Sequence, residues 1–193
     1  MDDTNLVDLL SKGDDRAFRW LIDNYKNKVA STCYSYTGDR EAALDLAQEV
    51  FLEVYRSISN FRSEAKLSTW IYRISVNKSL NWVRDHKKFR QNRSIQRFYD
   101  NDKNPEIEIK SQEKNSGLIA LMREDDDKVI QEALNQLPDN QKSAFILNKI
   151  DDLSYKEVAD IMEISVSSVE SLIFRARKNL QNRLSDYYKA QKS

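Results

Sequence analysis

The chain has 193 residues, no net charge, three glycines, two prolines and one cysteine. That length suits one ordinary domain or two small ones. A lone Cys33 excludes internal disulfides and multi-cysteine metal sites, and its simplest role is in a core. With glycine and proline scarce and apolar residues recurring at 3.6 rather than 2, the expected fold is all-α. It is read as two small helical domains joined by a flexible linker, the C-terminal one with a helix-turn-helix.

The N-terminal domain is assigned to residues 1–87. Its acidic start, Met1 to Leu6, holds no apolar run, so neither a signal peptide nor a membrane span is expected and a cytoplasmic location follows. Asp14 caps a first long helix with Phe18, Leu21, Ile22, Tyr25 and Val29 on its apolar face, closed by Gly38. Asp39 caps a second, with Ala43, Ala47, Val50, Phe51, Val54, Tyr55 and Ile58 inward. On its outer face Asp45, Gln48, Glu49 and Leu52 stand at i, i+3, i+4 and i+7, with Leu46 and Leu52 adding apolar area beside carboxylates. Spacing alone allows a solvated face or a protein-docking face.

Phe61 to Leu67 reads as a loop, and Ser68 as the cap of a third helix running to about Arg84 or a little beyond. There Arg73, Asn77, Asn81 and Arg84 form one polar stripe, leaving Ile71, Ile74, Val76, Leu80 and Val83 for packing. Asparagine offers a donor and an acceptor to a base edge, and arginine binds phosphate. Trp70 and Tyr72, beside the loop, suit either stacking on an unpaired base or filling a core.

Residues 88–126 lose periodicity, include Pro105 and Gly117, and end in Asp125-Asp126-Asp127, which reads as an acidic, polar linker. Charge is unevenly spread. Residues 61–97 hold 10 basic and 2 acidic side chains, 98–127 hold 4 and 9, and 175–193 hold 6 and 1. Two basic patches on either side of an acidic connector let a neutral chain bind phosphates.

The second domain, 127–193, opens with Val129, Ile130, Ala133, Leu134 and Leu137, breaks at Pro138-Asp139, and resumes with Phe145, Ile146, Leu147 and Ile150. Ser154 and Glu157 then form a capping box, with Val158, Ala159, Ile161 and Met162 on the buried side of the helix. After a short turn Ser165 caps a second helix with Val169, Ile173, Ala176 and Leu180 inward. Ser167, Ser171, Phe174 and Lys178 fall opposite, with Arg175 beside them, a face that suits a DNA major groove. The tight turn holds Glu163 where glycine is usual, and a positive φ there costs on the order of 1 kcal/mol. His86, the only histidine, lies in a solvated charge run. With no nucleophile elbow, glycine-rich phosphate loop or metal cluster, no enzymatic activity, cofactor, metal or small-molecule substrate is expected.

Three stretches in this order resemble the bacterial RNA polymerase sigma factors of the extracytoplasmic-function class, in the sigma-70 family. They are Asp45-Leu46-Ala47-Gln48-Glu49-Val50-Phe51; Phe61-Arg62-Ser63-Glu64 with Ser68 through Asn77; and Leu137-Pro138 through Arg177. The resemblance implies a subunit that directs core RNA polymerase to promoter DNA. Asp45, Gln48, Glu49 and Leu52 would bind the clamp coiled coil of core polymerase. Phe61, Arg62, Ser63, Glu64 and Ala65 would capture a base flipped from the minus-ten element. Trp70 and Arg73 would flank the melted junction, with Asn77 and Asn81 reading the element. Ser167, Ser168, Ser171, Phe174, Arg175 and Lys178 would meet the minus-thirty-five element. The linker would thread toward the RNA exit route, and an anti-sigma factor is an expected partner. Glu170 and Leu172 depart from the basic residues many relatives carry, which puts individual base contacts in doubt. Two alternatives stand beside this reading: an autonomous helix-turn-helix regulator, and a sigma mimic that only occupies a partner.

Overall fold

The computed structural model describes residues 3–61, 65–99 and 124–190, and every regular element among them is helical. Four helices form the first unit: α1 (Asp3–Ser11), α2 (Asp15–Thr37), α3 (Arg40–Ser57) and α4 (Leu67–Tyr99), with a 3-10 turn at Ile58–Asn60. Asp14 accepts from the backbone N–H groups of Arg16 and Ala17, and Asp39 accepts from Ala42, so both expected caps form. Gly38 ends α2 at φ 66°, where any side chain is strained. Leu21, Val29, Cys33, Ala47, Val50 and Val54 lie in the core of this unit, with Phe18, Ile22 and Tyr25 packed around it.

The first unit departs from expectation in several places. Residues 3–11 form α1, whose Leu6 and Leu10 enter the core; the i, i+4 spacing of those leucines is the signal for it. Helix α4 starts at Leu67, one residue before the expected cap Ser68. It also runs beyond Arg84 to Tyr99, because residues 85–99 contain neither glycine nor proline to stop it. Tyr55 is 51% exposed rather than inward, since it follows Val54 round the helix and lies at the rim, its ring edge-on to Phe18 at 5.1 Å.

The second unit comprises α5 (Glu124–Asn135), α6 (Asp139–Phe145), a π-helical turn (Ile146–Ile150), α7 (Tyr155–Met162) and α8 (Val166–Ala190). Residues 100–123, most of the expected linker, lie outside the described residues. Leu134 and Leu137 pack on Ala176 and Leu180, closing α5 onto α8.

The two units share one apolar seam. Tyr36 of α2 and Tyr72 and Val76 of α4 are buried in a cluster with Ala144, Ile146, Leu147, Val158, Ile161 and Ile173 of the second unit. Polar bonds stitch the same seam. Thr32 donates its hydroxyl to Asp151 at 2.9 Å, and Lys142 donates to the Tyr36 carbonyl at 3.0 Å. Among the described residues no helix is long and apolar enough to cross a membrane.

Candidate nucleic-acid and polymerase interfaces

In α7 the Ser154–Glu157 capping box is closed in both directions: Glu157 N–H donates to Ser154 Oγ, and Ser154 N–H donates to the Glu157 carboxylate at 2.9 Å. The Ser154 hydroxyl, donating at 2.7 Å, and then the Ser154 N–H hold the Glu157 carboxyl below its usual range. The chain then turns through Glu163 at φ 56°, the left-handed conformation expected there. Ser165 accepts from Ser168 N–H at 3.2 Å and caps α8. Val169, Ile173, Ala176 and Leu180 are buried as their spacing requires. The opposite face presents Ser167, Ser168, Ser171, Phe174, Arg175 and Lys178 to solvent, Phe174 at 70% exposure. An exposed phenylalanine among small polar residues and cations suits a groove with thymine methyls and phosphates. The hydroxyls of Ser167 and Ser168 both bond Ser165, so in this state they serve the cap.

On α3 the residues Asp45, Gln48, Glu49 and Leu52 are all exposed along one face. Leu46 does not join them: it is buried, because its inward neighbours Ala43, Ala47 and Val50 place it on the core side. The exposed apolar area comes instead from Leu44, Leu52 and Tyr55, each about half exposed. Leu44 and Tyr55 escaped sequence reasoning, although positions 44, 48, 52 and 55 recur at helical spacing. Contiguous apolar area of this kind marks a docking surface. Lys78 of α4 reaches Glu49 at 3.8 Å and Glu53 at 3.4 Å along its border.

The α4 stripe is divided by the second unit. Asn77 and Asn81 are exposed, whereas both arginines are engaged. Arg73 Nη1 pairs with Glu163 at 2.8 Å, and its Nε and Nη2 donate to the Asp160 carbonyl. Arg84 Nη2 pairs with Asp139 at 3.0 Å. Of the loop, Arg62, Ser63 and Glu64 lie outside the described residues, and Ala65 is half-buried. Phe61 and Trp70 face each other at 5.2 Å and pack on the first core. Tyr72, read as a stacking candidate, is buried in the seam and its hydroxyl is pushed above its ordinary range by burial.

Two of the titratable groups in or beside the seam are Cys33, the core residue expected, and Asp151, which the sequence did not single out. Burial pushes the Cys33 thiol up to about 11, so it is held as an unreactive core thiol. The Asp151 carboxyl is pushed up to about 7 by burial, opposed by the Thr32 hydrogen bond and by Lys28. His86 is exposed and stacked on Trp82 at 3.7 Å.

With this geometry in place, comparison with known proteins is direct. Residues 21–89 match the family Sigma-70 region 2, and residues 127–180 match the family Sigma-70, region 4. The chain is similar to the ECF RNA polymerase sigma-E factor of Haemophilus influenzae, 31% identical over 94% of this chain and 95% of that protein. It is also similar to the RNA polymerase sigma-H factor of Pseudomonas aeruginosa, 30% identical over 94% and 93% of the two chains. Two solved structures share the fold at 20% identity. CnrH in complex with the cytosolic domain of CnrY has a TM-score of 0.67, covering 95% of this chain and 97% of that one. The sigma factor RpoE in complex with the anti-sigma factor NepR from Bartonella quintana has a TM-score of 0.62, covering 87% and 96%. With both regions matched in this order and ECF relatives aligned over nearly the whole length, the chain belongs to the ECF RNA polymerase sigma factors.

Proposed function

We propose that the chain directs core RNA polymerase to a set of promoters, with each unit taking one promoter element. The observation that carries this reading is the presence of both sigma-70 regions in one chain aligned end to end with ECF sigma factors. In this reading Asp45, Gln48, Glu49 and Leu52, extended by Leu44 and Tyr55, dock on core polymerase. Phe61 to Ala65, Trp70, Arg73, Asn77 and Asn81 engage the minus-ten element and hold an unstacked base. Ser167, Ser168, Ser171, Phe174, Arg175 and Lys178 take the minus-thirty-five element. Joining two weak DNA sites in one chain raises their effective concentration, so neither needs high affinity alone. The chain works by binding, with no chemical step of its own, in the cytoplasm where polymerase and promoters meet. An anti-sigma factor is its proposed negative regulator, by analogy with the complex of RpoE and the anti-sigma factor NepR.

The test is transcription in vitro with purified bacterial core polymerase on a promoter library, with and without the chain. Discrete transcripts that depend on the chain and share two upstream elements are the expected result. Asn77→Ala removes an exposed side chain, so it should leave the melting temperature unchanged while lowering output about tenfold, the lower range for losing a paired base contact. Absence of transcripts, together with unaided binding to duplex DNA, would replace this reading with an autonomous regulator.

A further inference from the structure

The second unit places carboxylates where α4 would meet phosphates. Arg73 and Arg84 are the two cations of the stripe, and eleven residues of helix set them about 16 Å apart. Each is held by an acid from the other unit: Arg73 by Glu163 at 2.8 Å, Arg84 by Asp139 at 3.0 Å. Arg73 is held twice over, since its remaining donors meet the Asp160 carbonyl near the end of α7, where the helix dipole is negative. A guanidinium paired in this way has its charge compensated and fewer of its five donors free for a phosphate or a base. Meanwhile the face of α8 stays exposed. On α4, by contrast, the two arginines are engaged while Asn77 and Asn81 remain exposed.

Glu163 adds an independent argument. It occupies the left-handed turn position at φ 56°, where glycine is the unstrained residue. Its backbone is strained there, and its side chain makes an inter-unit ion pair that glycine could not make.

We propose that Glu163 and Asp139 are an autoinhibitory latch: in the free chain they occupy Arg73 and Arg84 as surrogate phosphates, and the two arginines of the minus-ten face become available only when the second unit swings off α4. The inference rests on the sigma reading of α4 and deepens it, since opening is then coupled to whatever binds the α3 face or α8.

The test compares the wild type with Glu163→Gly/Asp139→Asn. Glycine relieves the strained turn, so the variant keeps its fold, and thermal melting checks this. A control, Asp8→Asn/Asp23→Asn, makes the same change of net charge at exposed acids whose ion pairs, with Lys12 and Lys26, lie within the first unit. Two readouts are used on the full chain: energy transfer between dyes at Asn24 and Gln181, and affinity for a labelled single-stranded oligodeoxynucleotide of mixed sequence at low salt. The latch variant should show a longer inter-unit distance and bind the oligonucleotide about fivefold more tightly, with the control unchanged. Equal distance and equal affinity in wild type and latch variant overturn the proposal, as does a gain that the control reproduces. A failure of the sigma reading appears elsewhere, as absence of chain-dependent transcription by all three proteins.

Discussion

Replacing Lys142 with alanine should lower the unfolding free energy by about 2–4 kcal/mol. Lys142 is 3% exposed, at the point where α6 meets the end of α2. Its ammonium donates to the Tyr36 carbonyl at 3.0 Å and to Asn135 Oδ1 at 2.7 Å, and lies 5.2 Å from the centroid of the Tyr36 ring. Tyr36 stands in the last turn of α2, where carbonyls lack intrahelical donors and carry the negative end of the dipole. Alanine would strip that carbonyl and Asn135 of a donor while leaving both enclosed. The loss falls on the seam, because Lys142 belongs to the second unit and Tyr36 to the first. Urea denaturation followed by tryptophan fluorescence measures it. Lys142→Met, which keeps the apolar stem, should recover part of the loss through packing. An alanine variant within about 0.5 kcal/mol of wild type would show that water replaces the ammonium freely.

Asp151 should make the stability of the closed chain fall as the medium becomes more alkaline. Its carboxyl, half-buried at the end of the π-helical turn, is pushed up to about 7 by burial, partly offset by Thr32 and Lys28. Cys33, Tyr36 and Tyr72 face it across the seam, and all three are raised well above neutrality. They stay protonated while Asp151 titrates. The folded chain binds this proton more tightly than the unfolded one, whose carboxyl titrates near its ordinary value of about 4. The stabilisation is therefore fully present below about pH 4 and is lost as pH rises through 7, by at most about 1.4 kcal/mol per pH unit. Asp151→Asn has no proton to lose. The variant should gain on the wild type between pH 5 and 7 and keep a constant lead above about pH 8. Denaturation midpoints that run parallel across this range would mean the carboxylate is solvated in the folded chain.

Both predictions concern contacts that no local pattern announces. The helices themselves were legible because their signals are short-range. Asp14, Asp39, Ser154 and Ser165 cap within three residues, and Val169, Ile173, Ala176 and Leu180 mark an inward face by spacing alone. Tyr55 and Leu46 were misplaced because a helix rim and a helix core differ by one 100° step, which spacing resolves poorly. The candidate DNA residues on α8 were legible for the same local reason.

The amino-acid sequence by itself determined the all-helical class, the turn at Glu163, the division of α8 into a buried and an exposed face, and the family. Only the tertiary structure decided that Tyr72 faces the second unit, that Arg73 and Arg84 are held by Glu163 and Asp139, and that Asp151 is shielded from water. The bonds Thr32–Asp151, Tyr36–Lys142, Arg73–Asp160 and Arg84–Asp139 join residues 119, 106, 87 and 55 positions apart. Periodicity and caps report how one helix presents its sides. Which side of another helix receives them is settled by the packing of both units at once, and that is where the charge and burial of these groups are set.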